Sequence, residues 1–277
     1  MNVKQIDYTH ASAGKDLVTS LHESGFAVLS NSPITPQRID DFYRLWADFF
    51  NSAEKHDYTF EQTKQDGYFP FRSENAKDSP AKDLKEFYHV YPWGRVPTSL
   101  ESETRSFYAD LHALGSELLE WIQQNAPESV RAGFTEALDS MIAGSEQSLL
   151  RVLHYPPIEG EVEPGAVRAA AHEDINLITL LVSGSQPGLE ARDKQGNWFP
   201  VEGGQGVITI NTGDMLQEAS GGYFPSTTHR VVNPPSVANV SRYSIPMFVH
   251  PRSEVRLSER FTAGEYLQQR LREIGLI

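Results

Sequence analysis

The spacing of apolar residues changes near Ser148, and that change limits the folds open to this chain. Before it, apolar side chains recur at helical intervals. From Ser148 to Pro251 they recur at an interval of about two, in short runs separated by turn residues. Residues 149–155, 166–171, 178–182, 189–192, 206–210, 228–232 and 243–249 read as strands. Pro156-Pro157, Gly184, Gly203-Gly204, Gly221-Gly222 and Pro234-Pro235 punctuate them, and Asp193-Lys194-Gln195-Gly196 predicts a hairpin turn leading into 198–201. Many short strands with such punctuation predict a sandwich, a barrel or a jelly roll.

The preceding half reads as mainly helical. Residues 16–24 and 36–50 carry helical stripes. The second stripe is Ile39, Phe42, Tyr43, Trp46, Phe49 and Phe50, with Thr35 as N-cap before Pro36. Residues 26–29 form a short strand between them, 57–83 a polar loop or flap, and 102–124 and 127–142 two more helices. A helix over 263–274 closes the chain. With no repeat and no linker, residues 1–277 read as one α+β domain, a mainly β core with flanking helices. Its parts are a mainly helical region (1–147), the β core (148–251) and a carboxy-terminal helix (252–277).

The chain has no cysteine, which excludes disulfide scaffolds, thiolate metal sites and cysteine nucleophiles. Any metal must be held by His, Asp, Glu or backbone oxygen. With 37 acidic against 24 basic residues, the net charge of −13 opposes nucleic-acid binding. No apolar run approaches the roughly 20 residues of a membrane span, and residues 1–16 lack a signal core. The expectation is a cytoplasmic protein with neither membrane nor nucleic-acid partner.

One short segment carries metal chemistry. In His172-Glu173-Asp174, strand parity puts the imidazole and the Asp carboxylate on one face and Glu173 on the other. Alone, such a pair is as readily accidental. His229 follows 57 residues later on another expected strand. Two His and one carboxylate form a facial triad that leaves three positions open on an octahedral Fe(II). Thirteen residues on, Arg242 and Ser244 share a strand face, and a guanidinium beside a hydroxyl suits a carboxylate.

These residues resemble the isopenicillin N synthase-like branch of the Fe(II)/2-oxoglutarate-dependent oxygenases. His172-x-Asp174, His229 and Arg242-x-Ser244 match the family pattern in order and spacing. Leu150–Pro157, Pro187-Gly188-Leu189-Glu190 and Asn211-Thr212-Gly213-Asp214 resemble its strand, hairpin and turn. Leu21–Phe26, Gly67-Tyr68 and Asp83–His89 resemble its amino-terminal region. The resemblance implies a distorted double-stranded β-helix (a jelly roll) and a dioxygenase using Fe(II), O2 and 2-oxoglutarate. It would oxidise a small organic substrate, by hydroxylation, desaturation or cyclisation, with release of succinate and CO2. It implies His172, Asp174 and His229 as iron ligands, Arg242 and Ser244 as the grip on the C5 carboxylate, and Tyr155 beside the cosubstrate. Two departures stand out: Leu153 where many members have Asn, and Asn31-Ser32-Pro33-Ile34 where many have Asn-His-Gly-Ile.

For the substrate, the candidates are Arg72 in the flap, Phe87 and His89 in the segment after it, Arg151 on the face of Tyr155, and Phe248 six residues after Arg242. The competing reading is a solvated surface residue for Arg72, core packing for Phe87 and His89, and an outer-shell ion pair for Arg151. A small carboxylate-bearing molecule is the favoured substrate class. Its identity and the oligomeric state are not legible. Two other functions stay open: an isopenicillin N synthase-like or aminocyclopropanecarboxylate oxidase-like iron oxidase that does not use 2-oxoglutarate, and a non-catalytic jelly-roll binder of a metal or ligand.

Overall fold

The β-rich half builds two sheets, as its period of two requires. The structure is a computed structural model describing residues 3–61, 63–73, 82–158, 167–182, 184, 186–232 and 239–273. The larger sheet has eight strands, in the order β1 (Lys4–Asp7), β2 (Phe26–Ser30), β10 (Ile208–Thr212), β7 (Ile178–Val182), β12 (Arg242–Val249), β5 (Leu149–Tyr155), β4 (Glu86–Val90), β3 (Gly67–Phe69). The smaller has four: β6 (Ala169–His172), β11 (His229–Val231), β8 (Leu189–Arg192), β9 (Trp198–Pro200). All pairs are antiparallel except β1 with β2. Phe26 and Val28 from the larger sheet pack with Ala169, Leu189, Ala191 and Val231 from the smaller, so the sheets share an apolar interior.

Helices α1 (Ala13–Ser24), α2 (Pro36–Asn51) and α3 (Glu101–Asn125) pack on the larger sheet and α5 (Leu138–Ile142) packs on α3; α4 (Glu128–Arg131), α6 (Asp214–Ala219) and the closing α7 (Ala263–Glu273) complete the described helices. The α2 stripe is buried at Ile39, Phe42, Trp46, Phe49 and Phe50, with Tyr43 half-buried, and Thr35 caps the helix through the Arg38 N–H. Gly115 lets α3 press on β12: an added Cβ would lie 3.0 Å from Val249 Cγ2. No described helix is long and apolar enough to cross a membrane.

Several expectations need correction. The first 147 residues do more than wrap the sheet, because β1, β2, β3 and β4 all join it. The expected flap, 57–83, begins on the end of a 3-10 helix, Ala53–Tyr58, and contains β3, which pairs with β4. β4 escapes a reading by period because all five of its residues are buried. The single helix expected over 127–142 is two short ones parted around Gly133, since α4 buries none of its residues while α5 buries Leu138, Met141 and Ile142. The Asn211–Asp214 turn starts α6. The expected strand start at 166, the Pro234-Pro235 turn, residues 74–81 of the loop and the helix end at 274 lie outside the described residues.

Behind β4 lies a buried ionic network. Glu86 accepts hydrogen bonds from Lys55 Nζ (3.0 Å), Tyr68 OH and His154 Nδ1 (2.7 Å). Burial pushes its carboxyl up, but the bonds from His154, Tyr68 and Lys55 outweigh this and hold it below the ordinary value. Glu86→Ala strands these partners and should cost about 3–5 kcal/mol in denaturant unfolding. Because the folded carboxyl titrates low, the wild-type advantage over Glu86→Ala should be full above the ordinary value of 4.5 and fall away as the pH drops through the folded value.

Candidate active site

Three polar side chains converge between the sheets. His172 ends β6 and pairs across the sheet with His229, the first residue of β11. Their Nε2 atoms each lie 3.8 Å from Asp174 Oδ1, and the candidate ligand atoms of all three residues fall within 4.8 Å of one another. Strand parity was the wrong reason for the right neighbours. β6 stops at His172, and Asp174 stands in the link to β7, so the chain's crossing between sheets brings the carboxylate back to the imidazole. Glu173 points away, as expected, and accepts a hydrogen bond from Thr228 Oγ1.

The residues around the triad fix its orientation. His172 Nδ1 donates to the Ala170 carbonyl (2.8 Å) and His229 Nδ1 to the Thr227 carbonyl (3.1 Å), which leaves each Nε2 with a lone pair. Asp174 Oδ2 accepts from Thr179 Oγ1 (2.6 Å) and Asn211 Nδ2 (2.8 Å), leaving Oδ1 toward the imidazoles. Burial pushes the Asp174 carboxyl up, but the adjoining His229 and His172 and these two hydrogen bonds outweigh it and hold the group below the usual range. Two basic nitrogens and one ionised oxygen, with no sulfur, fit a borderline divalent cation such as Fe(II). The amino-terminal motif takes part at a distance. Gly25 is left-handed (φ 72°), and any Cβ there would meet Thr227 Oγ1 at 2.3 Å. Thr227 Oγ1 in turn donates to the Ser24 carbonyl. The end of α1 thus sets the segment that supports His229.

The second group of expected site residues is built on β12 and β5. Arg242 pairs with Tyr155 and Ser244 with Leu153, and all four are buried. Arg242 Cζ lies 5.0 Å from the Tyr155 ring centroid, and its Nε donates to the Gln186 carbonyl (3.0 Å). Gly184 makes room: a Cβ there would sit 2.8 Å from Arg242 Nη2. A cavity of about 900 Å³ reaches Arg242, with Leu181, Leu189 and Thr209 among its lining residues. Leu153, where relatives often carry Asn, belongs to an apolar cluster with Phe69, Phe87 and Tyr155.

Four of the five substrate candidates meet. Arg151 Cζ lies 4.6 Å from the Phe87 ring centroid and 5.6 Å from that of Phe248, and Arg151 Nε donates to His89 Nε2 (2.8 Å). His89 Nδ1 donates to the Gln65 carbonyl (2.9 Å), so this histidine is neutral. Arg72 is placed differently, in the loop after β3. Its φ is 62° and its N–H bonds the Lys85 carbonyl, and the contacts joining the other four do not include it. His154 faces away from Tyr155 onto Glu86, as its parity predicts. Thr179 and Asn211, which bond Asp174, and Asn176, which bonds Thr179, are not legible as supports in the sequence.

Comparison with known proteins identifies the family. Residues 146–251 match the family described as the 2OG-Fe(II) oxygenase superfamily, and residues 4–110 match the amino-terminal family described as non-haem dioxygenase in morphine synthesis N-terminal. A putative oxygenase from Shewanella oneidensis superposes with a TM-score of 0.91 at 50% identity, covering all of both chains. A putative 2OG-Fe(II) oxygenase family protein from Caulobacter crescentus does so at 0.82 and 32% identity, over 98% of this chain and 99% of that one. A full-length Neurospora crassa protein in complex with alpha-KG gives 0.81 at 26% identity, over 97% and 95%. The chain therefore belongs to the 2OG-Fe(II) oxygenase superfamily, in its isopenicillin N synthase-like branch, and is a non-haem Fe(II)- and 2-oxoglutarate-dependent dioxygenase.

Proposed function

We propose that His172, Asp174 and His229 hold the Fe(II), that Arg242 and Ser244 receive the C5 carboxylate of 2-oxoglutarate beside Tyr155, and that the substrate lies against Phe87, Phe248 and the Arg151–His89 pair. One observation carries the reading. Three ligand atoms converge within 4.8 Å while both imidazole Nδ1 atoms are tied to backbone carbonyls, so every lone pair the metal needs faces one point. The bound iron supplies O2 activation coupled to decarboxylation of 2-oxoglutarate to succinate and CO2.

The chain's own residues do the positioning. Thr179 and Asn211 hold Asp174 ionised with one oxygen free. Arg242, pinned by the Gln186 carbonyl, offers its buried Nη1, which has no hydrogen-bond partner, to the cosubstrate. Phe69, Phe87, Leu153 and Tyr155 form an apolar wall that keeps water from the reacting region. Arg151 lies over the Phe87 ring and donates to neutral His89, which fixes its guanidinium beside Phe87 and Phe248. That supports a small carboxylate-bearing substrate, with Arg72 as a second candidate cation. The Neurospora neighbour, for comparison, is known in complex with thymine, a small planar molecule. A hydrophobic core running from Ile6 to Ala263 supports reading residues 1–277 as one oxygenase domain, and the reading includes a cytoplasmic location.

The Fe(II)-loaded protein should convert 2-oxoglutarate to succinate, with a substrate screen read by mass spectrometry for gain of one oxygen or loss of two hydrogens. His172→Ala should reduce succinate to background, and full activity in that variant would end the assignment. Thr179→Val should weaken Fe(II) binding about 10- to 100-fold in an anaerobic titration, because Asp174 loses a supporting hydrogen bond. Arg151→Met should raise the KM of a carboxylate-bearing substrate at least tenfold while leaving substrate-free 2-oxoglutarate turnover near wild type.

A further inference from the structure

Arg168 sits immediately before β6 and is 5% exposed. Its Cζ lies 5.6 Å from the Tyr155 ring centroid, the same ring that lies 5.0 Å from Arg242 Cζ. The Arg168 side chain donates to the Val240 carbonyl from Nη2, at a long 3.3 Å. Its Nε and Nη1 are buried without a hydrogen-bond partner, as is Arg242 Nη1. Neither arginine forms an ion pair with a carboxylate among the described residues. Asp83, beside the same strand, is taken: Oδ2 accepts from Lys85 Nζ and Oδ1 from the Ala170 N–H.

Two buried guanidinium groups around one aromatic ring, with three N–H-bearing nitrogens unsatisfied between them, are a costly arrangement for an empty protein. Buried N–H donors lose their hydration without replacement, and the like charges repel. Burial and the Arg242 charge push the Arg168 guanidinium down to about 10, which still leaves it protonated at neutral pH. A carboxylate entering between them answers both costs. Its two oxygens offer about four lone-pair sites, enough for Arg242 Nη1 together with Nε and Nη1 of Arg168, and its charge offsets one of the two cations.

We propose that Arg168 is a second guanidinium ligand of the distal carboxylate of 2-oxoglutarate, which is gripped between Arg168 and Arg242 beside the Tyr155 ring. The proposal rests on the reading of Arg242 as the cosubstrate anchor and adds a residue from the segment leading into β6 of the smaller sheet. The distal carboxylate then ties β6 to β12, and a 2-oxo acid lacking that carboxylate forfeits both contacts.

The test is calorimetric titration of the anaerobic Fe(II)-loaded protein with 2-oxoglutarate and with 2-oxovalerate, which has the same chain length but a methyl group in place of the distal carboxylate. Arg168→Gln should weaken 2-oxoglutarate at least fivefold and leave 2-oxovalerate within twofold, so that selectivity between the two collapses. The thermal midpoint of unliganded Arg168→Gln should equal or exceed that of wild type, because a buried unpaired cation has been removed, while its upward shift on adding 2-oxoglutarate should shrink. Arg168→Lys, which keeps the charge but loses the fork, should fall between wild type and Arg168→Gln. A loss of 2-oxoglutarate affinity below fivefold, or an equal loss for both acids, overturns the proposal, as does a lower unliganded midpoint in both variants. Arg242→Gln separates the two levels of the argument. Wild-type affinity in that variant defeats the anchor itself, whereas strong loss there with none in Arg168→Gln defeats only the role of Arg168.

Discussion

Asp174 is a buried carboxylate set between two imidazoles, and much of the local architecture serves to keep it ionised and aimed. Its Oδ2 is occupied by Thr179 of β7 and Asn211 of β10, while Thr179 is itself held by Asn176 Nδ2 at 2.8 Å. Its own carbonyl accepts from the Asp214 N–H at 2.7 Å, where α6 begins. The close fit extends to Gly213: a Cβ there would collide with the Asn176 carbonyl at 2.2 Å. Each support comes from the larger sheet or its connections, whereas His172 and His229 come from the smaller one. The triad is therefore assembled across the gap between two sheets, and its geometry depends on how they pack.

The same division explains what could be read from the residues and what could not. β5, β7 and β8 lie where the sequence puts them; β8 alternates in burial, while β5 and β7 are short apolar runs buried at nearly every position. β4 is not legible in this way, because Glu86, Tyr88 and His89 are polar residues buried by partners far away in sequence, such as Lys55, His154 and Arg151. Local pattern cannot show a pairing that only the fold creates. The helix over 127–142 failed for the opposite reason: its apolar residues fit one stripe, but the chain buries only the second half. At the site, the spacing of His172, Asp174, His229, Arg242 and Ser244 was legible because ligand chemistry restricts residue type. The supports Thr179 and Asn211 were not, because any strand can carry a threonine or an asparagine.

Charge was informative in a way that the net value of −13 concealed. An acidic chain that takes a dianionic cosubstrate needs positive charge concentrated where the distal carboxylate goes. The structure buries Arg242 and Arg168 around Tyr155, while elsewhere Lys85, Arg95 and Arg252 are matched by neighbouring carboxylates. Unmatched cations stand out here because matched ones surround them. The apolar cluster that includes Leu153 gives these charges a medium of low polarity, which strengthens any carboxylate contact made there.

On the proposed reading, one Fe(II) ion sits at the triad and one 2-oxoglutarate runs from it to Arg242. X-ray data collected at the iron edge, from crystals grown anaerobically with Fe(II) and 2-oxoglutarate, test it most directly. A single strong anomalous peak is expected among His172 Nε2, Asp174 Oδ1 and His229 Nε2, with density for 2-oxoglutarate ending at Arg242. An iron peak elsewhere, or a cosubstrate whose distal carboxylate avoids Arg242, would contradict it.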